Sequence, residues 1–274
     1  MWRGRRVVLA DPDPVADARQ GYGAGVPEGH LLHRTASELS ADLAGAAVSA
    51  SSPQGRLDVG DLDGRVLDSA QAYGKHLFVH LLDAPSVHVH LGMRGLFLRY
   101  PDPTEAPRKG VRLRLSGPVA WDLIAPTTCE LLDEAGVERV VGGLGPDPLR
   151  PDADPAEAVR RLRAARGPVG AAMVDQGVWA GVGNAWRAEL LFLERLDPQL
   201  PAAALTEQQA HALWERTAAL MAVGRDAGQV VSDPSAPDER WVYKRATCRS
   251  CGAAVRTGQV GGRTSYSCPA EQAR

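Results

Sequence analysis

The sequence predicts an α+β fold in which a leading helix and an antiparallel β-sandwich precede a helical domain and a small C-terminal β-hairpin. Segments with two-residue alternation, such as VRLRLS and SVHVHLG, fill the region from about 46 to 130 and are typical of half-buried antiparallel strands. After residue 155 the apolar residues recur at helical spacing, and the last segment carries three of the four cysteines. A chain of 274 residues is long enough for more than one hydrophobic core.

Composition excludes several classes of protein. Hydrophobic residues make up 44% of the chain, which is too many for a disordered or collagen-like protein. The apolar runs are far shorter than the roughly 20 residues that span a bilayer, so we expect no membrane association and a cytoplasmic protein. The net charge of −2 gives no global sign of a polyanionic partner, although a neutral average can conceal a basic face.

The first 25 residues differ from the rest of the chain. They are rich in Arg, Asp, Gly and Ala and have no sustained period, so residues 1–25 are interpreted as a leader outside the folded protein. The next segment, PEGHLLHRTASELSADLAG, places leucines and alanines at helical intervals. Pro27 and Glu28 suit a helix start, and Gly45 suits its end, which predicts a helix over about 28–43.

Changes of pattern divide the remainder into three parts. The β-type runs AAVSAS, RVLDSAQAY, HLFVHLL, SVHVHLG, GLFLRY and VRLRLS predict a β-sandwich or flattened barrel in a domain over 26–151. The runs AEAVRRLRAA, GAAMVDQGVW, GNAWRAELLFLERL and TEQQAHALWERTAALMAVG predict a helical domain over 152–236. Residues 152–155 are interpreted as the linker, and a Gly261-Gly262 turn predicts a hairpin within 237–274.

The C-terminal unit is basic and rich in cysteine. Residues 240–274 carry seven arginines and lysines against one acid, Glu271. This is the charge pattern of a surface that meets phosphates, and a solvated hairpin is the alternative. Cys248 and Cys251 form a C-x2-C pair that is followed by Cys268. Since the first residues lack the apolar core of a secretion signal, this spacing favours a metal site over disulfides.

Four separated motifs resemble the formamidopyrimidine-DNA glycosylase and endonuclease VIII family of base-excision repair enzymes. VPEGHLLHR is similar to the family's N-terminal motif and GKHLF to the segment that holds its β-domain lysine. DQGVWAGVGNAWRAELLF resembles its helix-two-turn-helix signature, and the cysteine-rich tail resembles its zinc-finger hairpin. The motifs occur in family order over about 26–274. PEGH and SSPQGR resemble the endonuclease VIII side, particularly its actinobacterial members.

The resemblance implies chemistry at a free N-terminal proline. In the family the initiator Met is removed, and the proline amine attacks C1′ of the damaged nucleoside, expels the base and forms a Schiff base. Pro27 would be this nucleophile and Glu28 the proton shuttle that helps to open the sugar, whereas Glu28 without the resemblance is an ordinary helix-start acid. Because an internal proline has no amine, we expect translation to start at Val26, whose codon can be GUG.

The resemblance also implies one further catalytic group and three contacts with DNA. Lys75 matches the β-domain lysine, although a lysine at a strand end is commonly a solvated charge. Asn184 matches a phosphate-contacting asparagine, with helix capping as an alternative or additional role. Arg263 matches the hairpin arginine that reaches phosphates, with a solvated turn charge as its alternative. Met93 in HLGMRG is the candidate wedge that fills the space left by an extruded base, although such a Met is more often core filler.

The family's zinc site implies Cys248, Cys251 and Cys268 as ligands. Its usual fourth cysteine is replaced by Glu271 within CPAEQ, and three cysteines with a carboxylate are a less typical structural set. We expect weak zinc binding with Glu271 or water as the fourth ligand, and a metal-free hairpin is the alternative. Cys129 is interpreted as a buried apolar residue.

Together these features imply a bifunctional DNA glycosylase and abasic-site lyase. The implied partner is damaged double-stranded DNA that carries an oxidised base, chiefly a pyrimidine, and strand cleavage would follow by β,δ-elimination. We expect a monomer in the bacterial cytoplasm, associated with the nucleoid. The alternative is a non-catalytic damaged-DNA-binding protein of the same fold with a blocked N-terminus, and an unrelated zinc-ribbon interaction protein is a more distant hypothesis.

Overall fold

Helix α1, Gly29–Leu43, is the first element of the structure. A computed structural model describes residues 27–272, so the predicted leader 1–25 and the predicted start at Val26 lie outside the described residues. One side of α1 is buried against the core of the β-sandwich, as its apolar spacing predicts. Glu28 occupies the N-cap position, but its side chain makes no capping hydrogen bond. That carboxylate is therefore available for other partners.

Eight strands form the predicted β-sandwich. The strands are β1 Ser49–Ser51, β2 Leu67–Tyr73, β3 His76–Leu81, β4 Ser86–His90, β5 Leu96–Tyr100, β6 Val111–Ser116, β7 Ala120–Ile124 and β8 Thr128–Leu132. One sheet has the order β1-β6-β7-β5 and the other β2-β3-β4-β8. Every pairing within them is antiparallel, which confirms the predicted class.

Alternation along the strands separates two faces of the β2-β3-β4-β8 sheet. In β3, Leu77 and Val79 belong to the core between the sheets. Successive side chains point to opposite faces of a sheet, so His76, Phe78 and His80 lie on the other face. The first strand after the turn at residue 74 therefore carries histidines on its outer side.

Two strands and one helix of this part of the chain are missing from the sequence prediction. AWDLI in β7 is buried at four of its five positions, so it lacks the alternation that marks a half-buried strand. No residue of β8 is buried, and its pattern is equally weak. Helix α2, Glu134–Gly142, has a single buried residue, Gly136, and its three valines at helical spacing, Val137, Val140 and Val141, are only half-buried.

The helical region has its own core. Its helices are α3 Pro155–Ala164, α4 Val169–Ala172, α5 Asn184–Leu193 and α6 Glu207–Ala227, with a 3-10 turn at Ala202–Ala204. Trp179, Trp186 and Trp214 fill the space between them. The predicted helix over GAAMVDQGVW ends early, because Asp175 Oδ1 accepts a hydrogen bond from the Gly177 N–H at 2.9 Å and turns the chain. None of the described helices is long and apolar enough to span a membrane.

The C-terminal hairpin pairs β9, Arg256–Val260, with β10, Arg263–Ser267. Gly261 and Gly262 form its turn with φ of +60° and +70°, which is the backbone of the type I′ turn that the pair predicts. The hairpin is attached to the helical region through Arg187, which is fully buried. Arg187 donates hydrogen bonds to the carbonyl oxygens of Val260 at 2.9 Å and Thr264 at 2.8 Å.

Glycines allow close backbone contact where α1 meets the helical region. The Gly29 N–H donates to the Gly181 carbonyl at 2.9 Å. A Cβ atom on Gly29 would lie 2.6 Å from Gly181 Cα, and a Cβ on Gly74 would lie 2.8 Å from the Gly181 nitrogen. The turn between β2 and β3, the start of α1 and the turn before α5 therefore meet without intervening side chains.

We predict that Gly74→Ala destabilises the protein more than Gly64→Ala does. Both glycines are left-handed, with φ of +58° and +76°, so each alanine carries strain of about 1–2 kcal/mol. A Cβ on Gly74 would also lie 2.8 Å from Ala180 Cβ, whereas a Cβ on Gly64 meets nothing within 4 Å. Urea unfolding followed by tryptophan fluorescence measures both free energies of unfolding. Equal losses would contradict the tight contact at Gly74.

Candidate active site at the domain junction

The Glu28 carboxylate is buried at the N-terminus of α5. Its Oε1 accepts from the Ala185 N–H at 2.9 Å, and its Oε2 accepts from the Gly183 N–H at 3.1 Å and the Trp186 N–H at 3.4 Å. The N-terminus of a helix offers free N–H groups and the positive end of the helix dipole. A Cβ on Gly183 would lie 2.3 Å from Glu28 Cδ, so the glycine makes room for the acid.

Glu28 and Lys75 perturb each other electrostatically. Burial raises the pKa of Glu28, while the charge of Lys75 and the α5 N–H groups lower it. Burial likewise lowers the pKa of Lys75, which the Glu28 carboxylate raises and the Arg263 guanidinium lowers. A carboxyl group with a raised pKa beside an amine with a lowered pKa is suited to proton transfer. The structure thus brings together Glu28, Lys75 and Arg263, which the sequence places far apart.

Asp147 fixes the turn that carries Lys75. Its Oδ2 accepts from the Gly74 N–H at 2.6 Å and hydrogen-bonds to His33 Nε2 at 2.7 Å. Its Oδ1 accepts from the Leu149 N–H at 2.9 Å. Asp147 is buried, and it joins α1, the β2–β3 turn and the segment between the domains. Sequence reasoning missed this residue because LGPDPLRP signals only a change of pattern.

His30 is a second residue that the sequence analysis leaves without a role. The Trp186 indole N–H donates to His30 Nδ1 at 3.0 Å, so the ring carries its hydrogen on Nε2. Burial, and then the charges of Arg240, His33 and Lys75, lower the pKa of His30 to about 3. The ring is therefore uncharged and its orientation is fixed at the start of α1. Its position in the PEGH motif was the available signal.

Histidines on the outer face of the sheet continue the site beside Lys75. His76 Nδ1 lies 2.9 Å from His88 Nε2, and His88 Nδ1 lies 2.9 Å from Glu130 Oε1. The rings of His76 and His90 are 5.0 Å apart. Burial lowers the pKa of His76 to about 4, and the neighbouring His90, His88 and Lys75 contribute in the same direction. The alternation in SVHVHLG predicts a strand with His88 and His90 on one face. It does not predict the hydrogen bonds of the histidines.

Asn184 connects α5 to the hairpin. Its Nδ2 donates to the Thr264 carbonyl at 2.9 Å, and its Oδ1 accepts a short hydrogen bond from Arg187. The N-cap of α5 is Gly183, with no side-chain capping bond, so the expectation that Asn184 caps this helix is wrong. Asn184 is instead its first residue, and its contact with a phosphate stays a prediction.

Arg263 and Met93 lie on the surface, where a ligand can reach them. Arg263 begins β10 next to the Gly261-Gly262 turn and is exposed. Met93 follows β4 and has 76% of its surface exposed, which excludes its alternative role as core filler. Neither side chain is needed to fill the protein core.

Three predicted metal ligands converge, and the fourth does not. The Sγ atoms of Cys248, Cys251 and Cys268 lie within 4.8 Å of one another, which suits the soft thiolate donors that zinc prefers. Glu271 is not in this group. Its carboxylate instead pairs with Arg195 and accepts from the Ser250 hydroxyl at 3.1 Å. Cys129 lies in β8, outside the cluster.

Two family models match this chain. The model of the Formamidopyrimidine-DNA glycosylase N-terminal domain matches residues 26–123. The model of the Formamidopyrimidine-DNA glycosylase H2TH domain matches residues 144–233. Together they cover more than half of the chain, and the first contains Glu28 and Lys75 while the second contains Asn184.

Curated relatives and a solved structure agree with these matches. Endonuclease 8 1 of Mycobacterium tuberculosis (strain ATCC 25618 / H37Rv) is 44% identical over 264 residues, which cover 89% of this chain and 98% of the relative. DNA-(apurinic or apyrimidinic site) lyase Nei2 of Mycolicibacterium smegmatis is 33% identical over 252 residues, with coverage of 89% and 98%. Lactococcus lactis Fpg, solved in complex with DNA containing an abasic site, covers 90% of this chain and 100% of its own, with a TM-score of 0.77 and 23% identity. The protein therefore belongs to the formamidopyrimidine-DNA glycosylase and endonuclease VIII family.

Proposed function

We propose that this protein is a base-excision DNA glycosylase and abasic-site lyase that removes oxidised bases, chiefly pyrimidines. The observation that carries the proposal is the buried Glu28 carboxylate, held by the α5 N–H groups in the field of Lys75. The names of the two mycobacterial relatives, an endonuclease 8 and an abasic-site lyase, support the same class of activity.

Pro27 supplies the nucleophile as the first residue of the mature chain, which requires translation from Val26 and removal of the initiator. The secondary amine attacks C1′ of the damaged nucleoside, the bond from C1′ to the base breaks, and a cationic iminium forms. Glu28 lies next to the amine in the sequence and transfers the proton needed to open the sugar ring. The iminium makes the 2′ hydrogen acidic, so the strand is cleaved by β- and then δ-elimination.

The other predicted residues assist catalysis, as Lys75 does, bind DNA or support the hairpin. Lys75 and Arg263 supply positive charge at the junction, and Asn184 is the first residue of α5. Met93 would enter the space left by the extruded base. Cys248, Cys251 and Cys268 would hold zinc, which would link the loop at residues 248–251 to the end of the hairpin as a structural ion.

We expect borohydride to trap a covalent complex between abasic-site DNA and a chain whose first residue is Pro27. The reason is that reduction fixes an iminium, and only a free amine forms one. The matched control is the full chain from Met1, in which Pro27 is an internal amide. Denaturing gels and intact mass detect the complex. Trapping by both forms would show that another amine, such as that of Lys75, forms the iminium, and it would contradict the role of Pro27.

Lys75→Ala should lower strand cleavage by about 100-fold or more and change its pH dependence. The positive charge of Lys75 lowers the pKa of Glu28, so its removal raises that pKa further, and the limb of the rate profile that Glu28 sets moves to higher pH. Single-turnover cleavage across a pH series measures this. Lys109→Ala, which removes the same charge from an exposed position of the same domain, should leave the profile in place. A profile of Lys75→Ala in which neither limb moves would refute the coupling.

Arg263→Ala should weaken DNA binding and reduce its salt dependence. One lost phosphate contact changes the slope of log K against log salt by about 0.9. Arg263→Lys keeps the charge and should keep the slope, while losing the bidentate geometry of the guanidinium. Fluorescence anisotropy at several salt concentrations separates the two. An unchanged slope in Arg263→Ala would place Arg263 away from the phosphates.

A further inference from the structure

A specific set of contacts holds the Glu271 carboxylate away from the cysteine cluster. Three thiols lie within 4.8 Å of one another, and the Sγ atoms of Cys251 and Cys268 are 3.5 Å apart. Zinc in a closed structural site needs four protein ligands in a tetrahedron. Glu271 is the nearby acid in the sequence, yet no oxygen of its carboxylate joins the group of converging atoms.

Both oxygens of the Glu271 carboxylate have other partners. Oε2 accepts from the Arg195 guanidinium, and Oε1 accepts from the Ser250 hydroxyl at 3.1 Å. Only 18% of the Glu271 side chain is exposed, so the carboxylate is largely enclosed where it meets Arg195. It is directed to a cation of the protein instead of to the thiols.

Hydrogen bonds of Gln272 hold the backbone around Glu271. The Cys268 N–H donates to Gln272 Oε1 at 2.8 Å, and the Gln272 N–H donates to the Cys268 carbonyl at 2.9 Å. Gln272 Nε2 donates to the Leu196 carbonyl at 2.8 Å. Gln272 is buried and closes the turn that contains Glu271, so protein contacts hold that residue beside Arg195.

Charge balance and exposure favour a ligand from outside the protein. To bind the metal, the Glu271 carboxylate would have to leave the Arg195 guanidinium that neutralises its charge. A neutral donor has no such cost. Cys248 and Cys268 are buried but Cys251 is exposed, so the cluster is open to solvent on the side of Cys251.

We propose that Cys248, Cys251 and Cys268 form an open metal site, in which a small neutral donor such as water or an imidazole takes the fourth position while Arg195 and Ser250 retain Glu271. Such a site exchanges its fourth ligand, as sites with three protein ligands do. It differs from the closed site that a Glu271 ligand would give. The inference concerns metal coordination only, so it stands or falls independently of activity on DNA.

Cobalt(II) titration of the full chain tests the proposal through visible absorption. The protein is reduced with a phosphine, since a thiol reductant would itself fill the open position. We expect one cobalt per chain, a thiolate-to-cobalt band, and a saturable change of the d–d bands when imidazole is added. Cys251→Ser should weaken that band, and an unchanged band would place the metal elsewhere and overturn the proposal.

Two variants of Glu271 separate the open site from the closed one. Glu271→Gln should bind cobalt within about twofold of the parent, because the carboxylate is not a ligand. Glu271→Cys, which offers a fourth thiolate, should bind cobalt tighter than the parent and should no longer respond to imidazole. A loss of about tenfold in Glu271→Gln, no imidazole response in the parent, or no stoichiometric cobalt binding would each overturn the proposal. Circular dichroism checks that the variants are folded.

Discussion

The buried Glu28 carboxylate is the interaction on which the arrangement of the two domains depends. A buried charge is costly unless hydrogen bonds replace its water, and here they come from Gly183, Ala185 and Trp186 at the start of α5. Glu28 belongs to the β-sandwich domain and these donors to the helical region. The two domains must therefore meet at this point. Gly181 has no side chain and so permits close contact between their backbones there. The proposed proton shuttle and the domain junction are thus held by the same hydrogen bonds.

Arg187 fixes the hairpin against α5, as Glu28 fixes the two domains against each other. Burial lowers the pKa of Arg187 to about 10, which still leaves it charged at neutral pH, and its Nη1 and Nη2 groups donate to main-chain carbonyls of the hairpin. Asn184 joins the same network through Thr264. The hairpin therefore has one orientation relative to α5, and this orientation brings the charge of Arg263 into the field of Lys75.

The sequence predicts the features that depend on local pattern. The bounds of α1, the strand alternation and the glycine turn of the hairpin all follow from spacing, and the motif resemblance finds Glu28 and Lys75. The missing features depend on distant partners. His30 takes its tautomer from Trp186, 156 residues away, and Asp147 takes its role from Gly74, 73 residues away. Strand β7 is missed for a different reason, since burial of both faces removes the alternation.

The position of the hairpin and the fourth ligand of its cysteine cluster are determined by different residues. Several protein contacts attach the hairpin: Arg187 bonds to the carbonyls on either side of its turn, and Gln272 closes the turn after Cys268. Cys248 and Cys268 also pack with Phe192 of α5 in a small apolar cluster. These contacts hold β9 and β10 in place, and with them Arg263, without involving the Glu271 carboxylate. The chain can therefore retain a basic hairpin at the junction although Glu271 stands where the family resemblance implies a cysteine ligand.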